Sequence, residues 1–298
     1  MIYDRYKKDR NKKYLSGWKR FWNLFSSLSE KEKSVSIRTN AAIKRFEKKQ
    51  RLFTAVEIET INRCNGNCSF CPVSRKNDIR PFMKMERDLY KKIIDELISL
   101  NYSGRLALFS NNEAFLDSRI TEFARYARAG LPNAFIYLYT NATLLTVEKY
   151  SEIIDYLDEM IIDNYNDDLQ LNSPVQAIQI FIRGNEVLEA KTQIHLRKEN
   201  EILTSRGGTA PNKQLHKPLP MSCILPYVQM VIRPSGEVSL CCNDAYGQIT
   251  LGNVTQQTLE NIWYGEDYKR IRAAIRKGRK KCLLCKSCDS LFYPEKYE

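Results

Sequence analysis

Histidine is scarce in this sequence, with two residues among 298, and no run of about 20 apolar residues occurs. The missing apolar run excludes a membrane-spanning helix. The basic N-terminus lacks the apolar core of a secretory signal, so we expect a cytoplasmic location. The sequence also has no phosphate-binding loop, no Ser-His-Asp order and no zinc-protease motif. Collagens, membrane channels and small disulfide scaffolds are excluded by composition.

Cysteine, by contrast, is abundant, with nine residues. In a secreted protein an odd number would leave one thiol unpaired, whereas clustered cysteines in a reducing compartment more often hold metal. The chain length favours about two domains, and a hydrophobic content of 43% is enough to bury a core. The sequence therefore predicts a globular protein with metal-binding cysteines.

Positive charge is concentrated at the two ends of the chain. Residues 1–50 hold fifteen Lys or Arg against five Asp or Glu, and residues 267–298 hold ten against four. The net charge is +12, so the intervening residues 51–266 carry −4. Because no nucleic-acid-binding motif is present, we expect no nucleic-acid partner. Solvated helix faces explain the charge best, an acidic protein partner comes second, and an anionic lipid surface third.

Residues 1–50 are predicted to form a basic helical extension. An apolar stripe at helical spacing occurs within it, formed by Leu15, Trp18, Trp22, Phe25 and Leu28. A basic helix of this kind either lies on a membrane surface or, in the interpretation we favour, packs against its own domain. The segment SEKEKS at 29–34 predicts a polar break before a second basic helix over 41–49.

Strand and helix patterns alternate from residue 52 onward. Apolar or alternating segments predict six strands, over 53–61, 105–109, 135–139, 160–163, 177–183 and 193–197. Helical spacing predicts helices over 86–100, 117–129 and 146–157. This order is typical of parallel βαβ units. The predicted fold is therefore α/β, a partial (β/α)6 barrel over residues 51–212 with its chemistry at the carboxyl ends of the strands.

The first cysteine group, Cys64, Cys68 and Cys71, directly follows the first predicted strand. Three thiolates on a short loop with a glycine can hold a [4Fe–4S] cluster, and the missing fourth ligand leaves one iron open to a small molecule. A closed zinc site is the alternative, but it needs four ligands and no fourth Cys or His is near in sequence. The C-x3-C-x2-C spacing, with the aromatic Phe70 before the last cysteine, resembles the radical S-adenosylmethionine (SAM) superfamily.

This resemblance implies which residues bind SAM. In that superfamily a Gly-Gly-Glu segment after the second strand holds the amine of SAM, and the segment SNNE at 110–113 takes that place here. The segment TNA at 140–142 is similar to a Thr-Asn-Gly turn after the third strand, and DNY at 163–165 ends the fourth strand, where the family often contacts the ribose. The SAM-binding residues implied by the resemblance are Phe70, Asn111, Asn112, Glu113, Thr140 and Asn141.

The second cysteine group lies in residues 213–298, the predicted C-terminal domain. Two predicted strands, 228–232 and 237–240, are joined by a Pro-Ser-Gly turn and bring the flanking cysteines together. The layout resembles the SPASM auxiliary-cluster module or its shorter Twitch form, which implies one auxiliary [4Fe–4S] cluster, with structural zinc as the alternative. The ligands implied are Cys223, Cys241, Cys285 and Cys288, with Cys282 as an alternative to Cys288.

Cys242, next to a predicted ligand, is expected to be a buried thiol near the cluster. The alternative is a hydrogen-atom donor, as some radical epimerases employ. Neither interpretation makes Cys242 a metal ligand, because adjacent cysteines rarely bind the same metal.

The resemblance implies radical chemistry. The reduced cluster cleaves SAM to methionine and a 5′-deoxyadenosyl radical, which removes a hydrogen atom from an unactivated C–H bond, and the auxiliary cluster takes the second electron. Twitch-type dehydrogenases of aminocyclitols are most similar in cysteine layout, so we expect oxidation of a sugar, polyol or amino-sugar. A radical epimerase, a SPASM-type peptide maturase and a non-enzymatic iron–sulfur protein are the alternatives.

Substrate contacts are expected near the strand ends. The predicted catalytic residues are Arg206, Asp163 and Tyr165. Asp163 and Tyr165 lie at a strand end, and Arg206 lies between the last barrel strand and the auxiliary module. Further candidates for contact with the substrate are Arg183, His195 and Arg197. The partners implied are SAM, a small-molecule substrate and a flavodoxin or ferredoxin electron donor, whose acidic surface would suit the basic ends of the chain.

Overall fold

The computed structural model describes residues 2–4, 29–49 and 51–296. Within these residues one sheet has nine strands in the order β1-β6-β5-β4-β3-β2-β7-β8-β9. All pairings from β1 to β7 are parallel, and β8 and β9 are added antiparallel. The strands are β1 Ile2–Asp4, β2 Ala55–Ile58, β3 Arg105–Ala107, β4 Phe135–Thr140, β5 Glu159–Tyr165, β6 Thr192–Arg197, β7 Gln229–Ile232, β8 Glu237–Ser239 and β9 Thr250–Asn253.

The helices of the described chain are α1 Glu30–Lys49, α2 Arg87–Ser99, α3 Ile120–Gly130, α4 Val147–Ile153, α5 Ser173–Ile182, α6 Glu186–Lys191, α7 Leu225–Val228, α8 Leu259–Trp263 and α9 Glu266–Ile275. Their apolar residues recur at helical spacing, as in α2, where Tyr90, Ile93, Ile94 and Leu97 are fully buried. Thr146 caps α4 by accepting a hydrogen bond from the Lys149 N–H. Among the described residues, no helix has the length and apolar character needed to cross a membrane.

The sheet curves around an internal space. Alternate residues of β2 to β7 line one cavity of about 750 Å³, and many of these residues are polar. Polar residues on alternate positions of these strands therefore face the interior of a partial barrel, not solvent. The carboxyl ends of β2 to β5 lead into a second cavity, described below.

The secondary-structure predictions for the segments 177–183 and 29–34 were wrong. The segment 177–183, predicted as a strand, lies in helix α5 and in the residue after it, because Pro174 begins that helix and Val175, Ile178 and Ile182 bury one helical face. The segment 29–34, predicted as a polar break, is the start of α1. There Ser29 and Glu32 form a capping box, with the Ser29 N–H donating to Glu32 Oε2 at 2.7 Å.

The predicted N-terminal extension is helical in α1, but Ile2–Asp4 forms a strand beside β6. The helical description is therefore wrong for those three residues. The apolar stripe of residues 15–28 lies outside the described residues. The domain boundaries at residues 50 and 212 stay predictions, and the sheet continues across the second of them because β7 pairs directly with β2.

Trp263 of α8 connects the C-terminal region to the barrel. Its ring is fully buried and packs edge-on against Phe46 of α1 and Phe53, with centroid separations of 6.0 and 5.4 Å. Its indole N–H donates to the Arg51 carbonyl oxygen at 3.0 Å. The two basic ends of the chain also meet, since Arg276 and Glu47 form an ion pair at 3.0 Å.

Candidate active site

A cavity of about 930 Å³ lies at the carboxyl ends of β2 to β5. Polar and sulfur-containing side chains from separate strand ends converge on it, as expected where parallel strands end together. The first cysteine group and the predicted SAM-binding and catalytic residues line this cavity, namely Cys64, Cys68, Phe70, Cys71, Asn111, Asn112, Glu113, Thr140, Asn141, Asp163, Tyr165 and Arg206. Of the further predicted substrate contacts, His195 and Arg197 line the barrel interior instead.

The loop after β2 holds three thiols around one space. Cys64 Sγ accepts a hydrogen bond from the Gly66 N–H at 3.3 Å. A Cβ atom on Gly66 would lie 3.4 Å from Cys64 Sγ and 3.8 Å from Cys68 Sγ, so glycine keeps the space between these thiols open. Burial raises the pKa of Cys64 to about 12, so the free thiol keeps its proton at neutral pH. A positively charged iron would remove that proton on binding.

Glu113 ties the end of β3 to the end of β4. Its buried carboxylate accepts hydrogen bonds from the Thr140 hydroxyl at 2.7 Å, the Asn141 N–H at 2.8 Å and the Phe115 N–H at 3.2 Å. Burial raises the pKa of Glu113, and these hydrogen bonds oppose the shift. Glu113 therefore fixes the two predicted SAM-binding segments relative to each other while it faces the cavity.

Asn112 offers an unused hydrogen-bond donor to the same cavity. Its Oδ1 accepts from the Ser110 N–H at 2.9 Å, whereas its buried Nδ2 has no partner. A buried amide without a partner is costly, so this nitrogen fits a bound ligand with an acceptor group. Asn141 differs, because its Nδ2 donates to Asn65 Oδ1 at 2.9 Å.

Arg206 lies on a strained loop between the cavity and the auxiliary module. It has a φ angle of 48°, and Gly207 and Gly208, with φ angles of 64° and 90°, continue the turn. A Cβ on Gly207 would lie 2.8 Å from the Leu284 side chain, so the loop packs tightly on the C-terminal cysteine segment. The Arg206 Nη2 donates to Asn111 Oδ1, and its buried Nε has no partner.

Asp163 and Tyr165 belong to a paired network at the end of β5. Asp163 Oδ1 lies 3.2 Å from His195 Nδ1 and 3.4 Å from Arg197 Nη1, and Tyr165 donates to Asp163 Oδ2 at 3.4 Å. Charge on Asp163 is therefore balanced within the site. Arg183, another predicted contact, follows α5 and is exposed outside the cavity, because its segment is helical.

Glu57 is a site residue that the sequence analysis missed. It lies on β2, accepts hydrogen bonds from Ser110 Oγ and Gln229 Nε2 at 2.7 Å each, and lines the barrel interior. Burial raises its pKa to about 7, although Ser110 and the charge of Arg206 act in the opposite direction. In the sequence, Glu57 alternates with apolar residues, a pattern typical of a strand residue that faces solvent. In the folded protein the same side of the strand faces the interior of the barrel.

Four cysteines of the C-terminal region line one small chamber. They are the predicted ligands Cys223, Cys241, Cys285 and Cys288. The alternative ligand, Cys282, is buried but does not line the chamber, and its thiol is hydrogen-bonded to Cys285. That hydrogen bond lowers the pKa of Cys282. Cys288 therefore lies with the other three predicted ligands, and Cys282 lies beside them.

Cys242 lies between the two cysteine groups. It lines the barrel interior, and its N–H donates to Gln229 Oε1 at 3.2 Å. Its carbonyl oxygen accepts from Asn111 Nδ2, also at 3.2 Å. Cys242 therefore faces the interior, away from the chamber of the four other thiols.

Comparison with known families agrees with both cysteine groups. A model described as the radical SAM superfamily matches residues 58–191, and one described as SPASM, an iron–sulfur cluster-binding domain, matches residues 223–289. The chain thus contains a radical SAM domain followed by a SPASM domain. As a radical SAM enzyme with a SPASM domain, it uses a [4Fe–4S] cluster that binds SAM and an auxiliary iron–sulfur cluster. The predicted family and cofactors are confirmed.

Several individual proteins are similar to this chain over most of its length. An S-adenosyl-L-methionine-dependent 2-deoxy-scyllo-inosamine dehydrogenase of Niallia circulans is 24% identical over 245 residues, which are 81% of this chain and 94% of that protein. The crystal structure of BtrN in complex with AdoMet and 2-DOIA has a TM-score of 0.70 and 24% identity, covering 82% of this chain and 95% of BtrN. Streptococcus suis SuiB bound to S-adenosylmethionine has a TM-score of 0.53 and 14% identity, covering 78% of this chain and 71% of SuiB. The predicted α/β class with a mostly parallel sheet is confirmed.

Proposed function

We propose that the protein is a radical SAM dehydrogenase that oxidises a hydroxyl group of a small polyol, sugar or aminocyclitol to a ketone. The observation that carries this proposal is Arg206, which faces the large cavity, bonds to Asn111 of the predicted SAM-binding segment and sits on a loop packed against the auxiliary cysteines. The relative from Niallia circulans supports the substrate class, because the similarity covers 94% of that dehydrogenase.

The residues present fit both cofactors. Cys64, Cys68 and Cys71 would hold the first cluster, and Cys223, Cys241, Cys285 and Cys288 would hold the second. When bound, the first cluster with SAM supplies a 5′-deoxyadenosyl radical that removes a hydrogen atom, and the second supplies an acceptor for the remaining electron. The open space beside Gly66 and the unpartnered Asn112 Nδ2 are the features that suit SAM and its cluster.

The chain's own contribution is to orient the substrate and remove a proton. The unpartnered Nε of Arg206 would donate to a substrate hydroxyl. Oxidation of an alcohol releases a hydrogen atom, an electron and a proton, and the proton needs a base. Glu57 is a buried carboxyl with a pKa of about 7, and its charge interacts with that of Arg206. We assign proton acceptance to Glu57 by way of Ser110, which lines the large cavity and donates to Glu57 Oε2 at 2.7 Å.

The proposed function predicts consumption of a polyol with one SAM cleaved per product. The experiment incubates anaerobic, reconstituted, reduced protein with SAM and aminocyclitols or inositols that carry deuterium at their carbinol carbons. We expect a ketone product and deuterium in 5′-deoxyadenosine. If no polyol or amino-sugar transfers deuterium while a peptide substrate does, the dehydrogenase assignment is wrong.

Epimerisation is a second candidate, favoured by the position of Cys242. This thiol lines the barrel interior beside Gln229 and could return a hydrogen atom to a substrate radical. In D2O an epimerase would form a product with the same composition as the substrate except for one deuterium taken from solvent. Cys242→Ala would abolish that product. A dehydrogenase would form the same ketone with or without Cys242.

We propose that an acidic flavodoxin or ferredoxin supplies electrons at the joined basic ends. Arg276 and Glu47 hold α9 against α1, and the exposed Lys280 and Lys281 directly precede the auxiliary cysteine segment. Reduction by such a donor should slow as ionic strength rises. A reduction rate that is the same at low and high salt would refute this docking surface. A rate unchanged in the double variant Lys280→Glu, Lys281→Glu would refute it as well.

We also propose a cytoplasmic location, because the thiol sites are sensitive to oxygen.

A further inference from the structure

Arg279 is an arginine buried among the auxiliary cysteines. Its side chain is 1% exposed and lines the small chamber with Cys223, Cys241, Cys285 and Cys288. Its Nη1 donates to the Cys288 carbonyl oxygen at 2.9 Å, whereas its buried Nε has no hydrogen-bond partner. The side chain that lines the chamber is thus held by one hydrogen bond and keeps one buried donor unused.

A buried guanidinium needs an anionic partner. Among the described residues, no carboxylate forms an ion pair with Arg279, and the four predicted cluster ligands line the same chamber. An unpaired buried charge is strongly unfavourable, so the thiolates and the group they hold are the missing partner.

Asn243 gives an independent indication from another segment of the chain. It is 3% exposed and lines the same chamber, and its Nδ2 has no partner. Its Oδ1 is occupied by the Ser290 hydroxyl at 3.4 Å, so the amide nitrogen is the free end. Two buried nitrogen donors without partners therefore border one sulfur-lined chamber.

We propose that Arg279, assisted by Asn243, raises the reduction potential of the auxiliary cluster. This inference rests on the proposed function, in which that cluster accepts the second electron. Four thiolates outweigh the charge of an oxidised [4Fe–4S] core, and reduction adds a further negative charge. A fixed guanidinium and N–H donors to sulfur stabilise the reduced form more than the oxidised form. Arg279 acts on the reaction only through the auxiliary cluster, because it does not contact the substrate.

The test is an EPR-monitored redox titration of anaerobic, reconstituted protein. In Arg279→Gln, which removes the charge, we expect the ratio of reduced to oxidised auxiliary cluster at a given potential to fall about tenfold, a downward shift of about 59 mV for one electron. Arg279→Lys keeps the charge and should titrate close to the wild type. The first cluster, recognised by its spectral change on SAM addition, is an internal control whose potential should not move.

Arg272 provides a matched control in the same module. It is a partly buried arginine of α9, but its guanidinium lies 4.3 Å from the Trp263 ring centroid and not in the chamber. Arg272→Gln should lower thermal stability without shifting the auxiliary potential. A purely structural role of Arg279 predicts the same result for Arg279→Gln, so the two variants separate charge tuning from packing.

Three results would overturn the inference, and they are distinguishable. An unchanged auxiliary potential in Arg279→Gln with both clusters present refutes the role of Arg279 alone. If Arg279→Gln fails to retain the cluster, Asn243→Ser is titrated instead, and a potential equal to that of the wild type refutes the proposal. Zinc in place of the second cluster in wild-type protein refutes the electron-accepting role in the proposed function, and this inference with it.

Discussion

Glu57→Gln should make the protein more stable at alkaline pH. The pKa of Glu57 is raised by burial from 4.5 to about 7, a difference of 2.5 units. At 1.36 kcal/mol per unit this corresponds to about 3 kcal/mol. The unfolded state loses its proton near pH 4.5 while the folded state retains it, so stability falls as pH rises from 4.5 to 7 and then stays low.

Glutamine cannot ionise, and it therefore removes this loss. Its carbonyl oxygen can accept a hydrogen bond from Ser110 or Gln229, but its amide hydrogens find no matched acceptor, which costs about 1 kcal/mol. A gain of about 2 kcal/mol at pH 8 remains, or roughly 4–8 °C in the unfolding midpoint. Near pH 5 the two proteins should unfold at similar temperatures.

The assay is thermal unfolding of anaerobic protein at matched scan rates between pH 5.5 and 8.5. Glu152→Gln, a change at an exposed position of α4, is the control and should show no pH-dependent difference from wild type. If the difference between Glu57→Gln and wild type is the same at every pH, Glu57 is already ionised in the folded protein.

Three further substitutions test the large cavity. Arg206→Gln should leave SAM cleavage intact but lower ketone formation about 100-fold, measured as the ratio of product to 5′-deoxyadenosine, and a preserved ratio would contradict substrate contact. Gly66→Ala places a methyl group 3.4 Å from Cys64 Sγ and should reduce iron bound to the first site, and full iron occupancy would contradict the assigned space. Asn112→Ala should weaken SAM binding about tenfold in calorimetric titration, because one hydrogen bond is lost, and unchanged affinity would contradict that contact.

The structure brings the predicted residues of the large cavity together, whereas it differs from the sequence prediction in some of the surrounding elements. Cys64, Cys68 and Cys71 are close in sequence, and the polar segments after the strands are local patterns, so their chemistry could be read directly. Their convergence followed from the rule that parallel strands end together. The C-terminal ligands were implied by the resemblance to the SPASM module and stay a prediction, and Cys288, but not Cys282, lines the chamber with the other three.

Other features depended on tertiary context. Segment 177–183 has apolar residues that suit a strand or a buried helix, and Pro174 with the spacing of Val175 and Ile178 decided for the helix. The polar residue Glu57 faces inward because the sheet curves, which a single strand pattern cannot show. Likewise, an effect of Arg279 on the auxiliary cluster could be inferred only from its burial among the thiols, which the sequence does not show.

Reductive cleavage of SAM tests the central claim most directly. The comparison uses wild-type protein and the triple variant Cys64→Ala, Cys68→Ala, Cys71→Ala, both reconstituted without oxygen and reduced with dithionite. We expect 5′-deoxyadenosine and methionine from wild type only, while the variant retains about four iron ions, those of a single cluster, at the auxiliary site. SAM cleavage by the triple variant at the wild-type rate would contradict the claim that these three thiols hold the cluster that SAM binds.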